Sequence, residues 1–181
     1  IPDSMARLGN CLKRVETIAN RKSLPTKSGY GRGFACGVYE KNSFVAVSVD
    51  LHIDHEARKI CIDRMCCAQD VGMAINPDQL RAQIESNLVW SIGMALMEKV
   101  EIGDGQIASN NFHNYMIPRM SDIPSLDIDI IDNPAIHPSG AGEVALIAGS
   151  PAIANAIRDA TGLRLTRLPI KYTDITALGS L

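Results

Sequence analysis

Residues Phe44–Asp54 have the sequence FVAVSVDLHID, and this stretch is the clearest strand of the chain. Its larger apolar residues fall on every second position, which is the period of a β-strand and not of a helix. A polar turn at residues 55–58 leads to a second β-type run, Lys59–Ala68, and residues 34–40 form a third run just upstream. Connections this short favour antiparallel pairing, so the sequence predicts a meander of three neighbouring strands.

The period then changes to that of a helix. Asn76 is suited to cap a helix, Pro77 to occupy its first position and Gln79 to close a capping box. Apolar residues recur at every fourth position on one stripe: Leu80, Ile84, Leu88, Ile92 and Leu96. The pattern predicts a helix of about 20 residues that ends at Met97 or Glu98.

Shorter signals complete the outline of the chain. Asp104-Gly105 predicts a two-residue hairpin turn, and Leu126–Ile130 alternates as a strand whose acidic face is expected to be solvated. A second helix is predicted from Ser150-Pro151 to Thr161, with Gly162 as its C-terminal stop. Runs of strands followed by helices indicate an α+β fold, in which helices pack on a mixed or antiparallel sheet in two layers.

The composition bounds the class of protein. The chain has 181 residues, a formal net charge of −2 and 46% apolar residues, which indicates one globular domain or slightly more. The near balance of charges gives no reason to expect nucleic-acid binding, and no apolar run approaches the roughly 20 residues of a membrane helix. We divide the chain into a helical and then loose N-terminal segment, residues 1–28, and an α+β domain, residues 29–181.

Cysteines and histidines show no spacing typical of a metal site. No Cys-x-x-Cys pair is present, which argues against zinc or an iron–sulfur cluster in this chain, and the four histidines lack ligand spacing. We interpret the five cysteines as reduced thiols that serve mostly as small core residues.

A glycine cluster at Gly29–Gly33 precedes the strands. It lacks the spacing of a dinucleotide-binding loop, and no strand comes before it. We therefore expect these glycines to let the backbone pass close to a neighbouring segment, because glycine has no Cβ.

The most unusual local sequence is His137-Pro138-Ser139-Gly140-Ala141-Gly142-Glu143. Its glycines permit positive φ angles and a close approach of the backbone to another group, beside a single carboxylate. Two interpretations of Glu143 remain open. It lies in the first turn of a helix, where the helix dipole favours its charge, or it is partly desolvated and acts as a general base near neutral pH. The spacing alone favours the first.

Several short motifs occur together in a fixed order. They are Asp70-Val71-Gly72 with Ile75-Asn76-Pro77, Gln83-Ile84-Glu85, Asn111–Tyr115, Gly140–Glu143, Pro151–Ile157, Ala160–Gly162 and Leu168-Pro169. In this order they resemble the C-terminal part of the large, molybdenum-cofactor-binding subunit of the xanthine oxidase family. The resemblance is closest to the branch of isoquinoline 1-oxidoreductase β-subunits and aldehyde dehydrogenases, and it extends over about residues 29–170.

The resemblance implies a share of a molybdopterin site on this fold. In the family, the glutamate of the glycine-rich motif is the base beside the metal, and its match here is Glu143. It would take a proton from a metal-bound hydroxyl as that oxygen attacks an electron-poor carbon, while hydride passes to the sulfido ligand. Gly140 and Gly142 would let the chain approach the metal centre, and Gln83 would contribute a cofactor contact. No side chain of this chain would ligate the metal.

The resemblance also implies partners. Subunits of the family are several times longer, so we expect a C-terminal fragment that is inactive alone and holds the molybdenum cofactor only with the remainder of the large subunit. The expected cofactor is the molybdopterin cytosine dinucleotide form, and the expected substrate is a small-molecule aldehyde or N-heterocycle that is hydroxylated with water. Electrons would leave through a 2Fe-2S electron-transfer subunit. The expected compartment is the cytoplasm or the periplasm.

One departure from the family supports a rival function. Trp90 stands where many members carry a second cofactor-contacting glutamine, and we interpret it as a packing residue. The alternative is therefore a non-catalytic binding or assembly domain that keeps the fold without the cofactor. The intact Gly142-Glu143 pair favours the enzyme.

Overall fold

Three long strands form the antiparallel meander that the alternation predicts. The computed structural model describes residues 5–178, and the strands are β1 (Tyr30–Tyr39), β2 (Ser43–Asp54) and β3 (Lys59–Asp70). β2 lies between the other two and pairs antiparallel with both. Its pairing on both edges agrees with the short connections and confirms the prediction.

The hairpin predicted at Asp104-Gly105 is also present. It joins two short strands, β4 (Ile102–Gly103) and β5 (Gln106–Ile107), in antiparallel pairing. Asp104 and Gly105 have φ angles of 51° and 75°, as a turn with two left-handed residues requires.

A fourth strand makes the sheet mixed. β6 (Ser125–Ile131) pairs in parallel with β3, which gives the strand order β1-β2-β3-β6. The acidic face of this strand is only partly solvated, because both of its aspartates are paired with arginines. Asp127 accepts a 2.5 Å bond from the buried guanidinium of Arg64, and Asp129 accepts one of 2.9 Å from Arg14. Arginines balance these charges, while Asp127 and Asp129 keep 40% and 24% of their side-chain surface exposed.

Helix α1 (Ala6–Ala19) packs on the face of the sheet that carries these ion pairs. Arg7 of this helix also forms an ion pair with Asp70 at the end of β3. The apolar residues buried between helix and sheet form one cluster: Cys11, Val15, Ile18, Ala19, Phe44, Ala46, Cys66, Ala68 and Ile131. This helix covers a second face of the sheet, in addition to the two layers that the sequence predicts.

Helix α2 (Pro77–Leu96) begins at the predicted cap. The side chain of Asn76 accepts a hydrogen bond from the backbone N–H of Gln79 at 3.1 Å. Four residues of the apolar stripe are buried and the fifth is partly buried, which confirms the helical period. The packing role expected for Trp90 is wrong, because 54% of this side chain is exposed.

Helix α3 (Leu146–Thr161) begins one turn before the predicted start. Ser150-Pro151 has the composition of a helix start, but it lies inside the helix. Val144, Ala145 and Ala148 are fully buried, so packing of this apolar segment sets the first turn. The helix stops at Gly162, whose φ of 74° confirms the predicted left-handed cap. A short helix, α4 (Tyr172–Leu178), follows.

Strand β1 and helix α3 are in contact through two glycines. A Cβ atom at Gly31 would overlap the backbone of Ala156 and Ala160, and one at Gly33 would overlap that of Ala152 and Ala156. The glycine cluster therefore allows a close approach of two backbones, as the sequence predicts.

The main core lies between the sheet and the pair α2 and α3. It contains the odd-numbered apolar residues of β2, which are Val45, Val47, Val49, Leu51 and Ile53, together with the apolar faces of both helices. Among residues 5–178, no helix is both long and apolar enough to span a membrane.

Candidate functional site

Residues 137–143, which we call the glycine loop, lead from the segment after β6 to the start of α3. The loop is fixed at its beginning by the chain that follows β3. The backbone N–H of Ser139 donates to the carbonyl of Val71 at 2.8 Å, and the Ser139 hydroxyl lies 3.0 Å from the same oxygen. The loop therefore starts from an ordered position at the end of the sheet.

The first residue of β2 holds the middle of the glycine loop. The hydroxyl of Ser43 donates to the carbonyl of Gly140 at 2.8 Å, and it lies 2.8 Å from the hydroxyl of Ser139. Ser43 is only 2% exposed, so these bonds form away from competing water. The sheet thereby fixes one carbonyl of the loop.

Two amides of α2 hold the end of the glycine loop. Gln83 Nε2 donates to the carbonyl of Gly142 at 2.7 Å, and Asn87 Nδ2 donates to the same oxygen at 2.8 Å. The two residues lie one helical turn apart and so share a face of α2. Gln83, which we predict as a cofactor contact, thus binds the loop with its amide nitrogen.

Gly140 and Gly142 leave space open beside the loop. A Cβ atom added at either glycine would meet no other atom within 4 Å. The positive φ angles that glycine permits are not used at these two positions. The property of glycine that matters here is therefore the absence of a side chain, which leaves the backbone accessible from outside.

Glu143 is exposed at the end of the glycine loop and lies two residues before the cap of α3, which is Ala145. It is therefore neither in the first helical turn nor desolvated. Its Oε2 atom lies 3.4 Å from the hydroxyl of Tyr39, which donates to it. The negative charges of Glu143 and then Glu40 raise the pKa of Tyr39, so this phenol remains a donor at neutral pH.

A pocket of about 330 Å³ adjoins the glycine loop. Its walls are the loop, the segment after β3 and the first turns of α2. Its polar side chains are neutral and consist of Asn76, Gln79, Gln83 and Ser139. The arrangement offers hydrogen-bonding groups and backbone, but no charged side chain of the described residues lines this pocket.

Sequence reasoning misses most of the residues that hold the glycine loop. Asn87 follows Gln83 by four residues, and this spacing is a signal that could have identified it. Its Oδ1 atom is buried and has no hydrogen-bond partner within the described part of the chain. Ser43 and Tyr39 come from strands about a hundred residues upstream, and no sequence pattern links them to the loop.

Comparison with known proteins identifies relatives of this chain. The sequence profile of the molybdopterin cofactor-binding domain matches residues 8–124. The β-subunit of isoquinoline 1-oxidoreductase from Brevundimonas diminuta is 32% identical over 162 residues, which are 87% of this chain and 20% of that protein. One of the subunits of nicotinate dehydrogenase from Pseudomonas putida is 33% identical over 154 residues, 81% of this chain and 13% of that protein. The chain thus spans a fifth or less of the length of these relatives.

Solved structures share the fold. Quinoline 2-oxidoreductase from Pseudomonas putida 86 matches 75% of this chain and 18% of its own, with a TM-score of 0.68 and 25% identity. Aldehyde oxidoreductase from Desulfovibrio gigas matches 75% of this chain and 15% of its own, with a TM-score of 0.66 and 27% identity. These matches confirm the α+β class and the resemblance to the xanthine oxidase family. Because the profile covers well over half of its residues, the chain belongs to the molybdopterin cofactor-binding domain family.

Proposed function

We propose that this chain supplies the catalytic base of a molybdenum hydroxylase, and that the base is Glu143. The observation that carries the proposal is the geometry of the glycine loop. The loop presents one carboxylate on a backbone that is held at the carbonyls of Gly140 and Gly142, next to open space. The family profile ends at residue 124, so the role of Glu143 rests on this geometry and on the matching motif.

The residues of the glycine loop are compatible with a cofactor that would lie against the exposed backbone of the loop. The space beside Gly140 and Gly142 would be lost if either residue carried a side chain. Asn87, whose amide nitrogen donates to the carbonyl of Gly142, has a buried Oδ1 atom with no hydrogen-bond partner among residues 5–178. Gly140, Gly142 and Gln83 would hold this side of the cofactor. When bound, the molybdenum cofactor supplies Lewis acidity and accepts the two electrons of the oxidation.

Glu143 would accept the proton from the water-derived oxygen that attacks the substrate carbon. A carboxylate is ionised at neutral pH and serves as a base when the proton donor is acidified, as water is near a metal ion. The hydroxyl of Tyr39 donates to Oε2, which orients the carboxylate and leaves Oε1 to take the proton. The bonds to Gly142 keep the backbone of the neighbouring residue in place.

The variant Glu143→Gln tests this role in the complete subunit with its partners. The substitution removes the base but keeps the volume of the side chain. We expect turnover to fall about 1,000-fold, within the range attributed to general-base catalysis, with the molybdenum content of the purified enzyme unchanged. Glu16→Gln, an exposed change on α1, is the matched control and should keep full turnover.

Two results would contradict the proposal. Turnover of Glu143→Gln equal to that of Glu16→Gln would move the base to another residue. Loss of molybdenum from Glu143→Gln alone would assign this side chain to cofactor binding instead of proton transfer.

The substrate, the form of the cofactor and the partners belong to the same proposal. We propose a small aldehyde or N-heterocycle as substrate, because the named relatives include an isoquinoline 1-oxidoreductase and a nicotinate dehydrogenase. We also propose the cytosine dinucleotide form of molybdopterin, a 2Fe-2S electron-transfer subunit and a cytoplasmic or periplasmic location.

We further propose that these 181 residues do not retain the cofactor by themselves. The pocket beside the glycine loop is open and has no cationic side chain for a phosphate group among the described residues that line it. Molybdenum analysis of the purified chain checks this, and a stoichiometric content would contradict it. A non-catalytic domain, the alternative, would lack molybdenum in the complete subunit as well.

A further inference from the structure

The free end of the β2–β3 hairpin carries metal-ligating side chains far from the glycine loop. His52 and Cys61 face each other in the antiparallel register of the two strands. Asp54 follows His52 by two residues and so lies on the same face of the sheet. His52 lies nine positions after Ser43 on β2, which corresponds to about 30 Å of strand. The cluster is therefore independent of the proposed catalytic site.

The three side chains come close enough to share one ion. A ring nitrogen of His52, a carboxylate oxygen of Asp54 and Sγ of Cys61 all lie within 4.8 Å of one another. All three residues are partly buried. Tetrahedral zinc holds its ligand atoms about 3.5 Å apart, so small side-chain rotations would complete the geometry.

A β-bulge places the side chain of Asp63 beside His52. The register between β2 and β3 shifts by one residue after Asp50, which leaves Asp63 as the extra residue of β3. Both carboxylate oxygens of Asp63 lie 2.9 Å from Nδ1 of His52. When Nδ1–H donates to Asp63, the neutral ring keeps its lone pair on Nε2, which is the arrangement that carboxylates favour in metal-bound histidines.

Other contacts limit the motion of the cluster without using all of its donor atoms. Oδ1 of Asp54 accepts from the backbone N–H of Ala57 at 2.8 Å, which leaves Oδ2 for an ion. The ring of Tyr30 stacks on that of His52, with 5.3 Å between the ring centroids. Cys61 is a free thiol. The ion pair of His52 with Asp63 does not account for the position of Asp54 and Cys61.

We propose that His52, Asp54 and Cys61 bind a zinc ion at this end of the hairpin. Imidazole nitrogen, thiolate sulfur and carboxylate oxygen form a ligand set typical of zinc, whereas magnesium and calcium prefer oxygen ligands alone. Three protein ligands leave the fourth position for water. Asp63 is a positioning residue that orients the imidazole. The spacing of the ligands along the sequence matches no zinc motif. The pairing of β2 with β3, and not closeness in sequence, brings His52 and Cys61 together.

Calorimetric titration of the purified protein with Zn²⁺ tests the site. We expect one equivalent of zinc to bind, and Co²⁺ in its place to show the charge-transfer absorption of a cobalt–thiolate bond. Cys61→Ser should abolish this absorption. Cys36→Ser, which changes an exposed thiol on β1, is the matched control and should leave it unchanged.

The variant Asp63→Asn keeps all three ligands and tests the positioning role. We expect it to bind zinc about tenfold more weakly, as is typical for loss of an outer-shell partner. Thermal melting without metal checks that each variant is folded. The cobalt spectrum of the unsubstituted protein tests the metal–thiolate bond without any substitution. A protein that binds no zinc, or a Cys61→Ser variant that binds it as tightly as Cys36→Ser, would overturn the proposal.

Discussion

Two pairs of glycines in this chain have opposite surroundings. Gly31 and Gly33 of β1 lie against the backbone of α3, where no Cβ fits, whereas Gly140 and Gly142 of the glycine loop face open space. The first pair brings two elements of the fold together, and the second leaves room for something outside the chain. A glycine-rich segment therefore indicates a close approach, but its surroundings decide whether the approaching group is the protein itself or a ligand.

The variant Gly33→Ala should have the largest effect on stability. Its Cβ would overlap the backbone of Ala152 and Ala156, which cannot move as a flexible side chain would. We expect the free energy of unfolding to fall by about 3 kcal/mol, the upper part of the range for overpacking. Chemical denaturation measures this change. A loss below about 1 kcal/mol would contradict the close contact between β1 and α3.

A third glycine, Gly72, is packed as closely as Gly33, but it contacts the glycine loop and is hydrogen-bonded to the carboxylate of Asp70. A Cβ at Gly72 would overlap the carbonyl of His137, and the Gly72 N–H donates to Asp70 at 2.9 Å. Burial alone would raise the pKa of Asp70, but the hydrogen bonds from Arg7 and Gly72 outweigh it and hold the pKa below its ordinary value.

The stability that Asp70 contributes is therefore complete above its unfolded pKa of about 3.9 and is lost as the pH falls through the lower folded value. We expect Asp70→Asn to reduce the free energy of unfolding at pH 7 by about 2 kcal/mol, because it removes charge-assisted bonds at a buried site. It should also flatten the acid limb of stability against pH. An unchanged acid limb would assign the pH dependence to other carboxylates.

The two amides that hold the glycine loop should contribute unequally. Asn87 is 1% exposed, while Gln83 is exposed to solvent that can replace its bond. We expect Asn87→Ala to cost about 1.5 kcal/mol of unfolding free energy and Gln83→Ala about 0.5 kcal/mol. Denaturation of the two variants side by side measures the difference, and equal losses would contradict a buried bond at Asn87.

The variant Gly142→Ala should have the smallest effect on stability and a clear effect on the cofactor. Because its Cβ would meet no atom within 4 Å, we expect the free energy of unfolding to change by less than about 0.5 kcal/mol. The same methyl group would occupy the space that we assign to the cofactor. We therefore expect a lower molybdenum content in the complete enzyme, and an unchanged content would place the cofactor elsewhere.

Periodicity made much of the fold predictable. The alternation of β2 and the four-residue stripe of α2 depend on burial of one face, and each was strong enough to locate its element. The start of α3 was not predictable from Ser150-Pro151, since buried packing of Val144 and Ala148 extends the helix upstream.

The candidate site was predictable only in part. The local sequence singles out Glu143 and its glycines, because they are adjacent in the chain. Tyr39 and Ser43 reach the loop only through the fold, and the pairing of β2 with β3 that unites His52 and Cys61 depends on a register that no single strand reveals.

The glycine loop is bonded to two separate bodies, the first residue of β2 at Gly140 and the middle of α2 at Gly142. It thus connects the end of the sheet to α2 by hydrogen bonds. If α2 slides along the sheet, either one of these bonds breaks or the carboxylate of Glu143 is displaced with the helix. The position of Glu143 therefore depends on how α2 packs against the sheet, and not only on the residues beside it in the sequence.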